Sequence, residues 1–306
     1  MFIEGARAAL ADQELSLHAP PSLLSWVEAR EPACAALEAL SQVSLQAASH
    51  PPTVASLAHA ARAHPLLSEP SSDTLGLALR WACALFSSAQ LCFSSSPATA
   101  GGGGGGAAPP LRTPLPHGLR WRVASAHPSD IRSLHGFVTE LAIFEDGLKE
   151  VFTTPATFLR DGFGPAQGFH ALLLEAPSAE WEALKRAAPG PGSTAFAGAA
   201  QGFTPVGMAL VHRSYSTWQG NTIYLEDLYL QREARGMGAA SVAFKLLSAA
   251  AIASGARRLQ WCCLEWNERA KSVYGALRAQ KLEEWRLWRF ESEGLEEGGI
   301  GEVVAQ

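Results

Sequence analysis

The residues from Tyr224 to Ala240 hold the densest chemistry in the chain: Tyr-Leu-Glu-Asp-Leu-Tyr-Leu-Gln-Arg-Glu-Ala-Arg-Gly-Met-Gly-Ala-Ala. A strand should end near Leu230, a short loop carries Arg235-Gly236-Met237-Gly238, and a helix begins at once. Glycines there let the backbone turn with its N–H groups converging at the positive end of a helix dipole, a ready site for an anion such as pyrophosphate. The same residues equally suit a strand-to-helix turn that uses glycine for geometry alone. No Lys-Ser/Thr follows the second glycine and the GxGxxG spacing is incomplete, so neither common phosphate-loop pattern applies. Elsewhere reactive types are scattered. Cys34, Cys83, Cys92, Cys262 and Cys263 form no CxxC or zinc-like spacing, and their odd number fits a disulfide framework poorly. His18, His50, His59 and His64 have no ligand spacing, no metal is expected, and His170 and His212, lying in strands, read as structural.

The elements that must position these residues alternate in type. Strands are expected at Leu119 to Ala124, Phe169 to Glu175, Val206 to His212, Thr222 to Leu230, Arg258 to Leu264 and Glu284 to Phe290. Helices are expected from Pro128 to about Phe144, from Pro155 to Asp161, from Gly238 to Ser254 and from Glu268 to Leu277. Between Pro177 and Thr204 the Gly, Ala and Pro rich sequence reads as a surface loop. The interleaved order predicts an α/β or α+β sheet flanked by helices. Earlier in the chain, apolar spacing in Ala35 to Leu45, Val54 to Ala63 and Leu75 to Leu91 predicts short helices joined by Pro-marked turns.

Taken in order, the blocks of residues 118–290 resemble the GNAT acetyltransferase superfamily. Arg235 to Ala240 satisfy its loop pattern Arg/Gln-x-x-Gly-x-Gly/Ala. Four further stretches narrow the resemblance to the diamine acetyltransferase family and its thialysine N-epsilon-acetyltransferase branch. They are Glu140-Leu-Ala-Ile-Phe-Glu145, Asp161-Gly-Phe-Gly164, Ser216-Thr-Trp-Gln-Gly-Asn-Thr-Ile-Tyr-Leu-Glu-Asp227, and Glu265-Trp-Asn-Glu-Arg-Ala270 followed by Tyr274. The resemblance implies a GNAT fold, with a mixed, mostly antiparallel sheet, acting on acetyl-CoA and a primary amine of a small molecule. It implies that the backbone of Leu228, Tyr229 and Leu230 holds the pantetheine arm. Arg235, Gly236, Met237, Gly238, Ala239, Ala240 and Ser241 would hold the pyrophosphate, and Asn267, Arg269 and Ala270 would line the far side, with Tyr274 beside them as general acid. Glu226 takes the place of the carboxylate that binds the substrate amine and helps remove its proton, and Phe144, Glu145, Trp261 and Glu284 match substrate-side positions. A homodimer through this domain is also implied. Plainer roles stand beside these: Glu226 or Asp227 could pair within the sheet, and Tyr274 could be a packing residue. The chain departs from the family at Ser216-Thr217-Trp218, where the spermidine-acting branch tends to have Asp-Pro before the Trp, and at Arg278, where a glycine is usual.

Composition bounds the rest. The 306 residues are 47% hydrophobic and 17% charged, the range of globular proteins. Residues 1–111 carry four basic and eight acidic side chains, whereas residues 112–290 carry twenty basic and sixteen acidic ones. That mild positive balance is too weak for a nucleic-acid groove but suits a small polyanion. No targeting segment or membrane span is expected, and the protein is expected to be cytoplasmic. Six consecutive glycines, Gly101 to Gly106, mark a tether. The expected organisation is thus an all-α segment of unknown role at 1–97, a linker at 98–117, the acetyltransferase domain at 118–290 and an acidic tail at 291–306. Two rival roles fit the same motifs, an acetyl-CoA-binding adaptor with weak catalysis and an acetyltransferase of protein lysines or N-termini.

Overall fold

The run His170–Pro177 is buried along nearly its whole length, which a strand sustains only when covered on both faces. The computed structural model describes residues 2–16, 23–28, 54–64, 67, 74–88, 92–93, 111–112, 115–164, 166–187 and 202–291. In chain order the elements are α1 (Phe2–Ala11), α2 (Leu23–Glu28), α3 (Val54–Arg62), α4 (Thr74–Ser88), β1 (Cys92–Phe93), β2 (Leu111–Arg112), β3 (Arg120–Val123), α5 (Pro128–Phe144), α6 (Pro155–Gly162), β4 (His170–Pro177), α7 (Ser178–Ala187), β5 (Phe203–Ser216), β6 (Gly220–Leu230), α8 (Ala239–Ala253), β7 (Leu259–Gln260) and α9 (Glu268–Ala276). They divide into two compact units, Met1–Cys262 and Cys263–Gln306.

In the first unit the sheet runs β3-β4-β5-β6-β7, antiparallel from β3 to β6 and parallel between β6 and β7. This is the mixed, mostly antiparallel sheet that the family resemblance implies. One face meets α5 and α6, where Ile131, Leu134, Phe137, Phe158 and Leu159 share a core with Leu173, Met208 and Leu210. The alternating residues Leu172, Leu174, Ala209 and Val211 are equally buried and point to the opposite face, as a two-residue repeat requires. Helix α5 starts where Pro128 occupies the first turn and the His127 side chain accepts from the Ser129 N–H. Its Asp130 takes two bonds from Arg122, at 2.7 and 2.8 Å, and Arg122 Nε donates to Glu175 at 2.7 Å. Strand β3, strand β4 and the start of α5 are tied together by that one guanidinium.

The helices before the glycine run pack onto this sheet assembly. Ala6, Ala9, Leu15 and Leu23 from the α1–α2 region enter the same core as α5, and Arg132 reaches Asp12 at 2.7 Å. Gly5 lies so close to the β3–α5 turn that a Cβ would meet the His127 nitrogen at 3.0 Å. Helices α3 and α4 pack against α8, and α4 also meets β3, burying Leu79, Trp81 and Leu85. The expected helix at Ala35 to Leu45 and most of the expected linker lie outside the described residues.

Three other expectations change. Part of the supposed loop from Pro177 is helix α7, whose Glu180 and Lys185-Arg186 complement the dipole at its two ends and whose Trp181 is buried. Strand β7 has only two residues in its ladder. No strand forms at Glu284 to Phe290: among the described residues the second unit offers no neighbouring strand, and Arg286 instead donates to the carbonyls of Glu283 and Trp285.

Candidate active site

Glu226 owes its position to an irregularity in the β5–β6 ladder. Leu210 opposes Asp227 and Val211 opposes Leu225, so Glu226 is the extra residue of a β-bulge. A bulge turns its side chain out of the regular alternation, and Glu226 is accordingly 54% exposed. Asp227, next to it, is largely withdrawn from water. Burial, reinforced by the charges of Glu226 and Glu145, pushes its carboxyl up to about 6. Glu145 caps the end of α5, and desolvation raises its carboxyl as well. The charges of Glu226 and Glu145 thus both reach Asp227, an arrangement that favours arrival of a cation.

The open side of β6 lies beside this cluster. Among the described residues strand β7 pairs with β6 only at Ile223↔Leu259 and Tyr224↔Gln260, and none of them forms a strand beside the edge of β6 away from β5 from Leu225 to Leu230. Its amides and carbonyls are placed for an extended ligand. At the end of the strand both glycines of the loop adopt left-handed backbone, φ 82° at Gly236 and at Gly238. Gly238 is the N-cap of α8 and supplies no side-chain acceptor, so the first N–H groups of that fifteen-residue helix remain available to an anion. A Cβ at Gly236 would meet nothing within 4 Å, which leaves open space over the turn. Geometry and anion recognition, alternatives in the sequence, are here compatible uses of the same two glycines. The Trp121 indole donates to the Ala239 carbonyl at 3.1 Å and holds the start of α8 in place.

Arg235 turns back toward the strand. Its Nε donates to the Leu230 carbonyl at 2.7 Å, and its guanidinium lies 5.6 Å from the Tyr229 ring and 6.0 Å from the Phe144 ring. The predicted residues Phe144, Tyr229 and Arg235 are thus brought together, with Arg235 clamping loop to strand. Burial and the nearby Glu140 push the Tyr229 phenol up to about 12. Trp261 packs its ring on Phe244 of α8, 4.7 Å between centroids.

The remaining predicted residues belong to the second unit. Asn267 caps α9, its side chain accepting from the Ala270 N–H at 3.1 Å, and Arg269 and the half-buried Tyr274 follow on the same helix. Glu284 lies in exposed, irregular chain.

His212, read from the sequence as structural, lies against the Glu226 carboxylate. Its Nε2 lies 3.3 Å from Glu226 Oε2, and its ring stacks on Tyr224 with centroids 5.2 Å apart. The signal was available only through pairing, since His212 and Tyr224 are directly opposed across β5 and β6. His170, by contrast, is the structural histidine expected. It is buried in β4, where desolvation and then the charges of Arg80 and Arg213 push it down to about 3 and keep it neutral.

Comparison with known proteins adds independent evidence. Residues 165–277 match the Acetyltransferase (GNAT) family. The thialysine N-epsilon-acetyltransferase of Bos taurus is 34% identical over 178 residues, covering 57% of this chain and 95% of that protein. That of Mus musculus is 32% identical over 179 residues, covering 58% and 95%. Spermidine/spermine N(1)-acetyltransferase-like protein 1 of Homo sapiens is 28% identical over 178 residues, covering 57% of this chain and 23% of its own. With thialysine N-epsilon-acetyltransferases of 32–34% identity aligned over 95% of their own length, and with a mixed sheet and a glycine-turned helix start, this chain belongs to the GNAT acetyltransferase family and is an N-acetyltransferase.

Proposed function

We propose that the chain moves the acetyl group of acetyl-CoA onto the primary amine of a small diamine, polyamine or thialysine-like molecule, with Glu226 as the proton-accepting carboxylate and Tyr274 as general acid. The observation that carries this reading is the bulge that presents Glu226 beside Asp227 and Glu145 at the open part of β6. An aliphatic ammonium has a pKa near 10.4 and arrives charged at neutral pH. The acidic cluster attracts it, and its charge offsets both the burial and the neighbouring carboxylates that raise Asp227. Glu226, accessible to solvent, then takes a proton so that the nitrogen lone pair can attack the thioester. The Tyr274 phenol protonates the departing thiolate.

The residues present fit acetyl-CoA. The unpaired edge at Leu228, Tyr229 and Leu230 can hold the pantetheine amides, and the main chain of Arg235 to Ser241 can hold the pyrophosphate at the uncapped start of α8. Asn267, Arg269 and Ala270 are proposed as further cofactor-binding residues. Phe144, Trp261 and Glu284 complete the proposed amine side, and a homodimer is part of the same proposal, checked by sedimentation equilibrium. The names of the relatives, thialysine N-epsilon-acetyltransferase and spermidine/spermine N(1)-acetyltransferase-like protein 1, support the choice of amine class.

The test is a thiol-release assay with acetyl-CoA against putrescine, spermidine, thialysine, lysine and a lysine peptide. Release with a small amine is expected, and Tyr274→Phe should lower kcat by about 10²-fold or more while calorimetric acetyl-CoA binding is kept. Release with the peptide alone would overturn the substrate class. Unchanged turnover in Tyr274→Phe would remove that residue from the chemistry.

A further inference from the structure

The hydrogen bonds of His212 determine which of its nitrogens carries the proton. Nδ1 lies 3.0 Å from the carbonyl oxygen of Arg213. A carbonyl oxygen can only accept, so Nδ1 must be the donor. The neutral ring is therefore the Nδ1–H tautomer, and its Nε2 presents a lone pair to the Glu226 carboxylate 3.3 Å away. Two acceptors confront each other across a gap that a single proton would fill. Tyr224 keeps this alignment from relaxing: its ring stacks on the imidazole at an interplanar angle of 28°, and its hydroxyl donates to Cys262 Sγ at 2.9 Å. Burial, the thiol and Glu226 all raise the Tyr224 phenol, which stays neutral and does not compete for the proton.

We propose that His212 is a positioning residue that shares with Glu226 the proton taken from the substrate, its Nε2 taking part in a hydrogen bond with Oε2 across the 3.3 Å gap. The inference rests on the reading of Glu226 given above. In the step, the substrate N–H bond breaks and its electron pair stays on nitrogen. The proton lands on Glu226 and is stabilised between Oε2 and His212 Nε2, giving either a carboxylic acid bonded to the imidazole or a carboxylate bonded to an imidazolium. His212 is one-third exposed, so the proton can leave to water before the next turnover. The charged and titratable groups around the pair are Arg213 on β5, Tyr224 and Asp227 on β6, Cys262 beyond β7, and Glu145 at the end of α5, whose charge reaches Asp227. Sequence reading assigned His212 to structure; its partners make it part of the proton path.

Two measurements on the full chain test this. In steady-state kinetics His212→Ala should lower kcat/KM for the amine by about 10- to 100-fold at pH 7.5, with KM for acetyl-CoA unchanged. At pH 10.5, where about half the amine is already neutral, the defect should shrink several-fold. A defect equal at both pH values means a merely structural role and overturns the proposal. Separately, imidazole ¹⁵N shifts of the wild type should show His212 protonated at Nδ1 from pH 6 to 9. A neutral Nε2–H tautomer would overturn the shared proton even if turnover is normal. Should the wild type release no thiol with any amine, the proposed function falls, while the nitrogen shifts still decide whether the pair exists.

Discussion

Asp227 is a carboxylate strongly altered by its surroundings, and its effect on stability can be measured apart from catalysis. The folded protein holds its proton to about pH 6, whereas an unfolded Asp releases it near 3.8. Between those values the native state binds more proton at Asp227 than the unfolded chain does, so the contribution of Asp227 to stability falls as pH rises from 4 and levels off above 6. Asp227→Asn removes that loss. Relative to wild type it should gain up to about 3 kcal/mol more at pH 7.5 than at pH 4, read from urea unfolding at the two pH values. An equal difference at both would show that burial and the neighbouring carboxylates do not strain Asp227. The same residue shows what was legible at this scale. Glu226-Asp227 stood out as a motif, but which of the two is exposed and which withdrawn depends on a bulge that residue types do not reveal.

Helix endings show how elements were and were not readable. Helices α5, α8 and α9 all close with the same pair of bonds: Gly147 to Ala142 and Asp146 to Ile143, Ala256 to Ala251 and Gly255 to Ile252, Ala279 to Tyr274 and Arg278 to Gly275. Each ending needs one left-handed residue, and the three occupants are Asp146 at φ 59°, Gly255 at 77° and Arg278 at 58°. The departure at Arg278 is thus a substitution inside an intact helix stop. Arg278→Gly should stabilise α9 by about 0.5–1 kcal/mol, seen as slower amide exchange in residues 270–277. Faster exchange would mean that the arginine makes contacts worth more than its backbone strain. The periodic helices at 128–144 and 239–253 were legible because each carries a long apolar face with a start signal. Glu284 to Phe290 was misread because alternation describes a strand's side chains and says nothing about whether a partner exists to take its hydrogen bonds.

At the level of the whole molecule, helices α1 to α4 share the packing of the sheet's helices. Trp81 is fully buried where α4 meets α8 and β3, and Leu79 and Leu85 are buried on the same helix. Trp81→Ala should therefore cost about 3–5 kcal/mol and lower the midpoint of one cooperative transition, with acetyl-CoA binding lost at that same midpoint. If α4 instead unfolds early while acetyl-CoA binding persists, the helices before the glycine run are separable from the domain. Sequence alone established the order of elements, the glycine turn before α8 and the motif blocks. Those are local, set by periodicity, by glycine's access to positive φ and by residue identity. Only the tertiary structure decided that Glu226 occupies a bulge, that His212 faces it, and that α1 to α4 cover the sheet assembly. Each of these depends on register or on contacts between residues far apart in the chain, which no short window of sequence contains.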